Sequence, residues 1–168
     1  MMSNAPNDNS RIIRNLYTCF QQLDADGMKS CYHDQAQFTD PVFPFLSGDK
    51  IGFMWMMLVQ TLQKNPGDWK LVFTDVQATA HEGSCTWEAT YTFTLTGRRV
   101  HNCIRAQFQF QDGKIIRHTD QFDFYRWSRM AFGITGTLLG WMSWFQKKVQ
   151  RISAHRLAAF QSKHPAKK

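Results

Sequence analysis

The sequence is poor in cysteine, and none of it is paired by spacing: Cys19, Cys31, Cys85 and Cys103 form no C-x-x-C. Reduced, mostly structural thiols in a cytoplasmic protein follow from that. No uncharged apolar run reaches the ~20 residues of a membrane-spanning helix. The polar start MMSNAPNDNS lacks the basic-then-apolar pattern of a secretory signal. There is no internal repeat and no low-complexity segment. Acidic residues are missing from one region only. Residues 126–168 hold nine Lys and Arg and no Asp or Glu, whereas the rest of the chain holds 11 basic and 13 acidic residues. The formal charge of +7 therefore describes a mildly acidic domain with a basic C-terminal extension. Charge alone is a weak argument for nucleic-acid binding, and none is expected.

What the chain does have is aromatic mass. Fourteen Phe and six Trp in 168 residues suit one domain with a large core or an apolar cavity. A loose tail is expected at 1–8, the domain at 9–127 and a basic amphipathic helical extension at 128–168. Helical spacing of Ile12, Ile13, Leu16, Cys19, Phe20 and Leu23 predicts a helix over about 9–22. A short helix near 25–32 and a short strand over 35–40, ended by Asp40-Pro41, should follow. The apolar loop PVFPFLSG is not expected to lie wholly in solvent. Ser47 or Asp49 is placed to cap a helix over about 50–63, whose apolar side includes Ile51, Met54, Trp55, Leu58 and Leu62.

Four strands are then predicted, at about 69–80, 84–96, 99–111 and 114–125. Strand 84–96 alternates, with Trp87, Ala89, Tyr91, Phe93 and Leu95 on one face and Thr86, Glu88, Thr90, Thr92 and Thr94 on the other. A Gly97-Arg98 turn would set Cys85 near residue 110 and Cys103 near residue 92, so these two are not partners. Helices first and an antiparallel meander second give an α+β fold: a curved, cone-shaped sheet with N-terminal helices on its concave face, plus the C-terminal helical extension. The polar reverse face, including Thr90, Thr92, Arg105, Gln107 and Gln109, is left for solvent or a second subunit.

The last hairpin carries the chemistry. Asp112-Gly113 is a strong turn signal, and two registers are open. A two-residue turn places Arg105 opposite Asp120. A three-residue turn with a glycine bulge puts the even-numbered residues on one face: Ile104, Ala106, Phe108, Phe110, Ile116, Phe122 and Phe124. Asn102, His118 and Asp120 then sit within an apolar surface, where polar groups are either paired or kept for chemistry. His118 and Asp120 share a face in either register because they are two apart on a strand.

The segments CYHDQAQFTDPVFPFLSG and FQFQDGKIIRHTDQFD, with the helix–helix–strand–helix–four-strand order, resemble the nuclear transport factor 2-like superfamily. Within it the likeness is to ketosteroid isomerases and SnoaL-like polyketide cyclases, over about residues 9–126. The resemblance implies a general base at Asp40, the position of the isomerases' aspartate. It aligns their tyrosine with Leu16, beside Tyr17, and their second aspartate with Ala106. It also implies a cyclase-type His-x-Asp acid/base pair at His118 and Asp120. The Arg105–Asp120 register would instead resemble the Asp–Arg arrangement of epoxide hydrolases of this fold.

Each residue also has a plainer role. Asp40 can cap its own loop, His118 and Asp120 can form a satisfied polar pair in a pocket wall, and Asn102 can bond within the protein. Tyr17, Trp55, Trp87, Tyr91, Phe108 and Phe122 are expected to line the cavity together with Asn102. No spacing among His118, Asp120, Asp40 and His101 demands a metal, and neither metal nor cofactor is expected. In the extension, Gly133, Gly136 and Gly140 should break the chain. A stripe of Leu138, Met142, Phe145, Val149, Ile152, Leu157 and Phe160 predicts a helix opposite Lys147, Lys148, Arg151 and His155. That helix either covers the cavity or a second subunit, or rests on a membrane surface through 138–160. The functional expectation is a homodimer that binds a small lipophilic molecule, as a cofactor-free isomerase or cyclase or as a non-catalytic carrier.

Overall fold

The computed structural model describes residues 8–164. Of the expected tail, 1–7 lie outside the described residues and Asp8 opens the first helix. The elements run α1 (Asp8–Gln21), α2 (Ala25–Ser30), β1 (Tyr32–Thr39), β2 (Leu46–Ser47), α3 (Asp49–Leu62), β3 (Lys70–Ala78), β4 (Glu82–Phe93), β5 (Arg98–Gln111), β6 (Lys114–Gln121), α4 (Phe124–Phe132), α5 (Ile134–Leu139) and α6 (Ser143–Lys163). The architecture is α+β: one curved, unclosed six-stranded sheet of order β2-β1-β6-β5-β4-β3. Among the described residues, only the β1–β6 pair is parallel. No helix among the described residues is long and apolar enough to cross a membrane.

The core follows the two periodicities. On α1, Ile13, Leu16, Tyr17 and Phe20 are buried one turn apart. Along β5 every even-numbered residue from Val100 to Phe110 is buried and every odd one is exposed. The helix α1 packs on β3 and β4, and its start is held by Asn9, whose Nδ2 donates to the carbonyls of Thr79 and Ala80 at 2.9 Å each.

Several local expectations are corrected. The second helix stops at Ser30, and Tyr32 opens β1 rather than closing that helix. Neither Ser47 nor Asp49 caps α3; Gly48, at φ 57°, makes the turn with no side-chain cap. The β4–β5 connection is the four residues 94–97, because Phe93 pairs with Arg98. Cys85 therefore faces Ala106 and Cys103 faces Glu88, and Leu95 leaves its predicted apolar row to lie 56% exposed in the turn. All four cysteines are free.

The β5–β6 hairpin combines the two registers. At its tip Gln111 pairs with Lys114 around a two-residue turn in which Asp112 and Gly113 have φ of 51° and 70°. One residue on, Phe110 pairs with Ile115 and Gln109 with Arg117, so Ile116 is a bulge that shifts the register. Below it Phe108 faces His118 and Ala106 faces Asp120. Ile115, not Ile116, is the buried isoleucine. Arg105 pairs with Gln121 on the exposed face, which removes the Asp–Arg arrangement.

The last strand ends at Gln121, short of 125, because Asp123 caps α4 by accepting the Arg126 N–H at 2.9 Å. Gly133 ends α4 at φ 61°. Gly136 and Gly140 have a different reason. A Cβ would stand 1.9 Å from the Ser128 carbonyl oxygen at 136 and 2.0 Å from Ser128 Oγ at 140. They are contact glycines that let α5 lie on α4. The long helix begins only at Ser143, so Leu138 and Met142 precede it, and Leu138 is 62% exposed. Phe145 and Val149 join a second core cluster with Val100, Phe124, Trp127 and Ala131, and Leu157 reaches the main core. Gln146 and Gln150 of α6 both donate to the Pro41 carbonyl, at 3.1 and 3.0 Å. Substituting Gly136→Ala should overpack this contact and cost about 1–3 kcal/mol of unfolding free energy, as measured by denaturant titration.

Candidate functional site

Between the sheet, α3 and α6 lies a cavity of about 410 Å³, within the range of small-molecule sites. Its wall is largely apolar, and Asp40, Asp120, Tyr91 and Asn102 supply polar groups to it. Of the residues predicted from sequence, Trp55, Trp87, Tyr91, Asn102, Phe122, Asp40 and Asp120 line this space. Tyr17, Phe108 and His118 do not. Tyr17 stacks behind the wall on Trp87 and Phe73, at ring distances of 5.5 and 5.6 Å, and Phe108 lies 4.5 Å from the His118 ring.

His118 is fully buried and occupies the middle of a chain of hydrogen bonds. Trp55 Nε1 donates to the Tyr32 hydroxyl at 3.1 Å, and that hydroxyl meets His118 Nδ1 at 2.7 Å. His118 Nε2 meets Asp120 Oδ1 at 2.9 Å, which also accepts from Trp87 Nε1 at 3.3 Å. The direction of the chain can be assigned. An indole only donates, so the Tyr32 oxygen accepts and its own proton must go elsewhere; His118 Nδ1 is the acceptor there. The imidazole then carries its hydrogen on Nε2 and gives it to the Asp120 carboxylate. Every hydrogen in the chain is used, which a buried network requires. Burial raises the Tyr32 phenol well above its usual value, and the charge of Asp120 adds to that. Asp120 Oδ2 accepts nothing from the described residues, and Asp120 lines the cavity.

Asp40 stands at the end of β1, where its Oδ1 accepts the Val42 N–H at 2.7 Å and the Phe43 N–H. This is the loop-capping role. It occupies one oxygen and leaves the other toward the cavity. Burial pushes the carboxyl up to about 7, against the lowering effect of the two backbone donors, and the negative charge of Asp120 contributes to the rise. A carboxyl in that range is populated in both protonation states near neutral pH.

Two further groups present unused capacity to the cavity. The Tyr91 oxygen accepts from Trp127 Nε1 at 3.0 Å, and its own proton has no acceptor among the described residues. Burial raises this phenol to about 12, so it stays a donor. The Asn102 amide makes no hydrogen bond within the described residues, contrary to the plainer expectation for it, and it lines the cavity from β5.

Sequence reasoning missed Tyr32 and Trp127, whereas a C-terminal helix covering the cavity was among its expectations. Tyr32 falls at the end of the expected second helix; the signal for it is the alternation into Phe38, blurred by an irregular pairing between Tyr32 and Gln37. From α6, Lys148, Val149, Ile152, Ser153 and Arg156 complete the cavity wall. His101 takes no part in the site. It pairs with Glu88 at 2.8 Å on the exposed sheet face, where Glu88, His101 and Cys103 bring one ligand atom each within 4.8 Å of one another.

Residues 13–118 match the SnoaL-like domain. The chain belongs to this family. Solved structures of the same fold include TerC co-crystallised with polyporic acid, at 17% identity and a TM-score of 0.62 over 76% of this chain and 100% of that one. A nuclear transport factor 2-like protein of unknown function from Burkholderia pseudomallei has 15% identity and a TM-score of 0.62, over 77% of this chain and 98% of that one. A putative polyketide cyclase from Xanthomonas campestris has 16% identity and a TM-score of 0.55, over 74% and 96%. No curated protein matches. The match to the SnoaL-like domain stops at residue 118, so α4–α6 lie beyond it. Of the isomerase-type positions, this SnoaL-like chain keeps the aspartate at Asp40, and the tyrosine and second-aspartate positions are occupied by other residues. Leu16 and Tyr17 are both buried, and the position of the second aspartate is Ala106, with Asp120 directly across the strand pair.

Two outcomes test this geometry. The folded-state value of Asp40 lies above the unfolded one, so its contribution to stability is complete below 3.8 and is lost as pH rises through about 7. Asp40→Asn keeps the oxygen that accepts both N–H groups and removes the ionisation. Its stability relative to the wild type should rise between pH 4 and pH 8 by on the order of 2–4 kcal/mol, read from denaturant titrations across pH; a flat difference would contradict the buried carboxyl. Tyr32→Phe leaves Trp55 Nε1 and His118 Nδ1 without partners and should cost about 1–3 kcal/mol, with the His118 ring resonances changing tautomer by nuclear magnetic resonance.

Proposed function

We propose that the protein binds a small lipophilic carbonyl compound in this cavity and moves a proton on a carbon beside the carbonyl, without a cofactor. What carries the proposal is a set of uncommitted polar atoms on a largely apolar wall: Asp120 Oδ2, the free oxygen of Asp40, the Tyr91 O–H and the Asn102 amide. The family and the fold, which also occurs in a putative polyketide cyclase, support the same class of chemistry. Asp120, held in place by His118 and Trp87 on Oδ1, takes the proton on its other oxygen. Tyr91 or Asn102 donates to the oxygen that gains charge as the enolate forms. Protonated Asp40 gives its proton to another carbon, yielding an isomer, or the enolate carbon attacks a second carbonyl and Asp40 protonates the alkoxide that forms, yielding a ring. In both, Asp120 releases its proton to solvent and Asp40 regains one from it. His118 does not reach the ligand and serves as a positioning residue that fixes Asp120. Four free thiols support a cytoplasmic setting. The polar outer face of β4 and β5 is the surface we assign to a second copy in a homodimer.

One observation favours a non-catalytic carrier. Asp40 Oδ1 and both His118 nitrogens are fully engaged in structural hydrogen bonds. The two readings separate on Asp120→Asn. An enzyme should lose ~10²–10⁴-fold in proton exchange of an enolisable ketone while keeping its melting temperature and ligand affinity. A carrier should show no exchange above solvent in either form. Native mass spectrometry of the purified protein reports the subunit number and any retained ligand in the same experiment.

A further inference from the structure

Among the described residues, five of the eight exposed large apolar side chains fall within residues 134–152: Ile134 at 79%, Leu138 at 62%, Trp141 at 68%, Trp144 at 51% and Ile152 at 45%. Tryptophan is costly to leave in water in this way, and scattered surface hydrophobes do not cluster so. Both exposed indoles have their N–H satisfied within the protein. Trp141 Nε1 donates to the Leu138 carbonyl at 3.0 Å and Trp144 Nε1 to the Met142 sulfur at 3.0 Å. Their rings can therefore enter an apolar phase without stranding a donor.

The surroundings of this patch are of one sign. Arg126 and Arg129 on α4 and Lys147, Lys148 and Arg151 on α6 are exposed, and no Asp or Glu occurs from 126 onward. None of these five cations is ion-paired among the described residues. The patch also adjoins the cavity mouth. Leu95 lines the cavity from the β4–β5 turn, and that turn is tied to the end of α4 by Thr96 Oγ1 to the Ala131 carbonyl at 2.6 Å and Arg98 Nε to the Met130 carbonyl at 2.8 Å. Ile134 follows immediately. On α6, Trp144 precedes Phe145, Lys148, Val149 and Ile152, all of which line the cavity.

We propose that this face, α5 with the first half of α6, docks on an anionic lipid bilayer, with Ile134, Leu138, Trp141 and Trp144 inserted and the flanking cations on lipid headgroups. A bilayer is the occupant that matches both properties at once: apolar rings beside unpaired positive charge. Docking in this pose brings the cavity mouth to the membrane, from which a lipophilic ligand enters without crossing water.

The test uses the full chain in co-sedimentation with vesicles of phosphatidylcholine alone and of phosphatidylcholine mixed with phosphatidylglycerol. Binding to the mixed vesicles, weakening as salt is added, with a blue shift of tryptophan emission, is the expected result. The double variant Trp141→Ser, Trp144→Ser should bind about tenfold more weakly or worse with an unchanged melting temperature. Asp120→Asn should bind as the wild type does, so failure of the catalytic reading leaves this result untouched. The proposal is overturned if the chain ignores the mixed vesicles at low salt, or if it binds pure phosphatidylcholine equally well. It is also overturned if the double variant binds unchanged. Should the chain ignore vesicles and the double variant instead lose a dimer, the patch is a subunit contact.

Discussion

One extra residue in β6 sets the interior of this protein. The tip of the β5–β6 hairpin is a two-residue turn, and carried on unchanged that register would set Arg105 opposite Asp120. The bulge at Ile116 shifts the pairing by one, and in a structure with a period of two that exchanges the faces. His118 and Asp120 then share the interior with the even-numbered residues of β5, while Arg105 and Arg117 go to solvent. Without the shift, the odd-numbered residues of β6 would join the buried even-numbered face of β5, and Arg117 would enter the apolar interior in place of His118 and Asp120.

Putting an imidazole and a carboxylate inside incurs a desolvation cost, and the fold meets it with donors drawn from three other elements. Tyr32 comes from β1, Trp55 from α3 and Trp87 from β4. The two carboxyls of the cavity are consequently unlike. Asp120 ends a chain of N–H and O–H donors, whereas Asp40 has two backbone donors on one oxygen and an apolar loop around it, and rises to about 7. Separate environments for two carboxyls in one pocket are what acid–base chemistry needs.

The C-terminal helices are more than an appendage to this arrangement. Trp127 of α4 orients Tyr91, and α6 provides one wall of the cavity and clamps Pro41 beside Asp40. The SnoaL-like match ends before these helices begin, so the shape of the site in this chain is partly its own.

Local geometry made much of this legible in advance. Alternation along β4 and β5, helical spacing in α1 and the turn at Asp112-Gly113 are properties of neighbouring residues, so sequence alone determined the four-strand meander, the α+β class and the shared face of His118 and Asp120, but not the short β2 or the strand ends. It also fixed the sign of the C-terminal segment. Tertiary structure decided what neighbours cannot: the bulge at Ile116, the close contact behind Gly136 and Gly140, and the entry of Tyr32 into the buried chain 86 residues from His118. It also decided that Asn102 and the Tyr91 proton find no partner at the cavity among the described residues. Periodicity says which way a side chain points, but whether a polar atom is satisfied depends on groups far along the chain, whose distances are set only once the sheet has curved and the helices have closed over it.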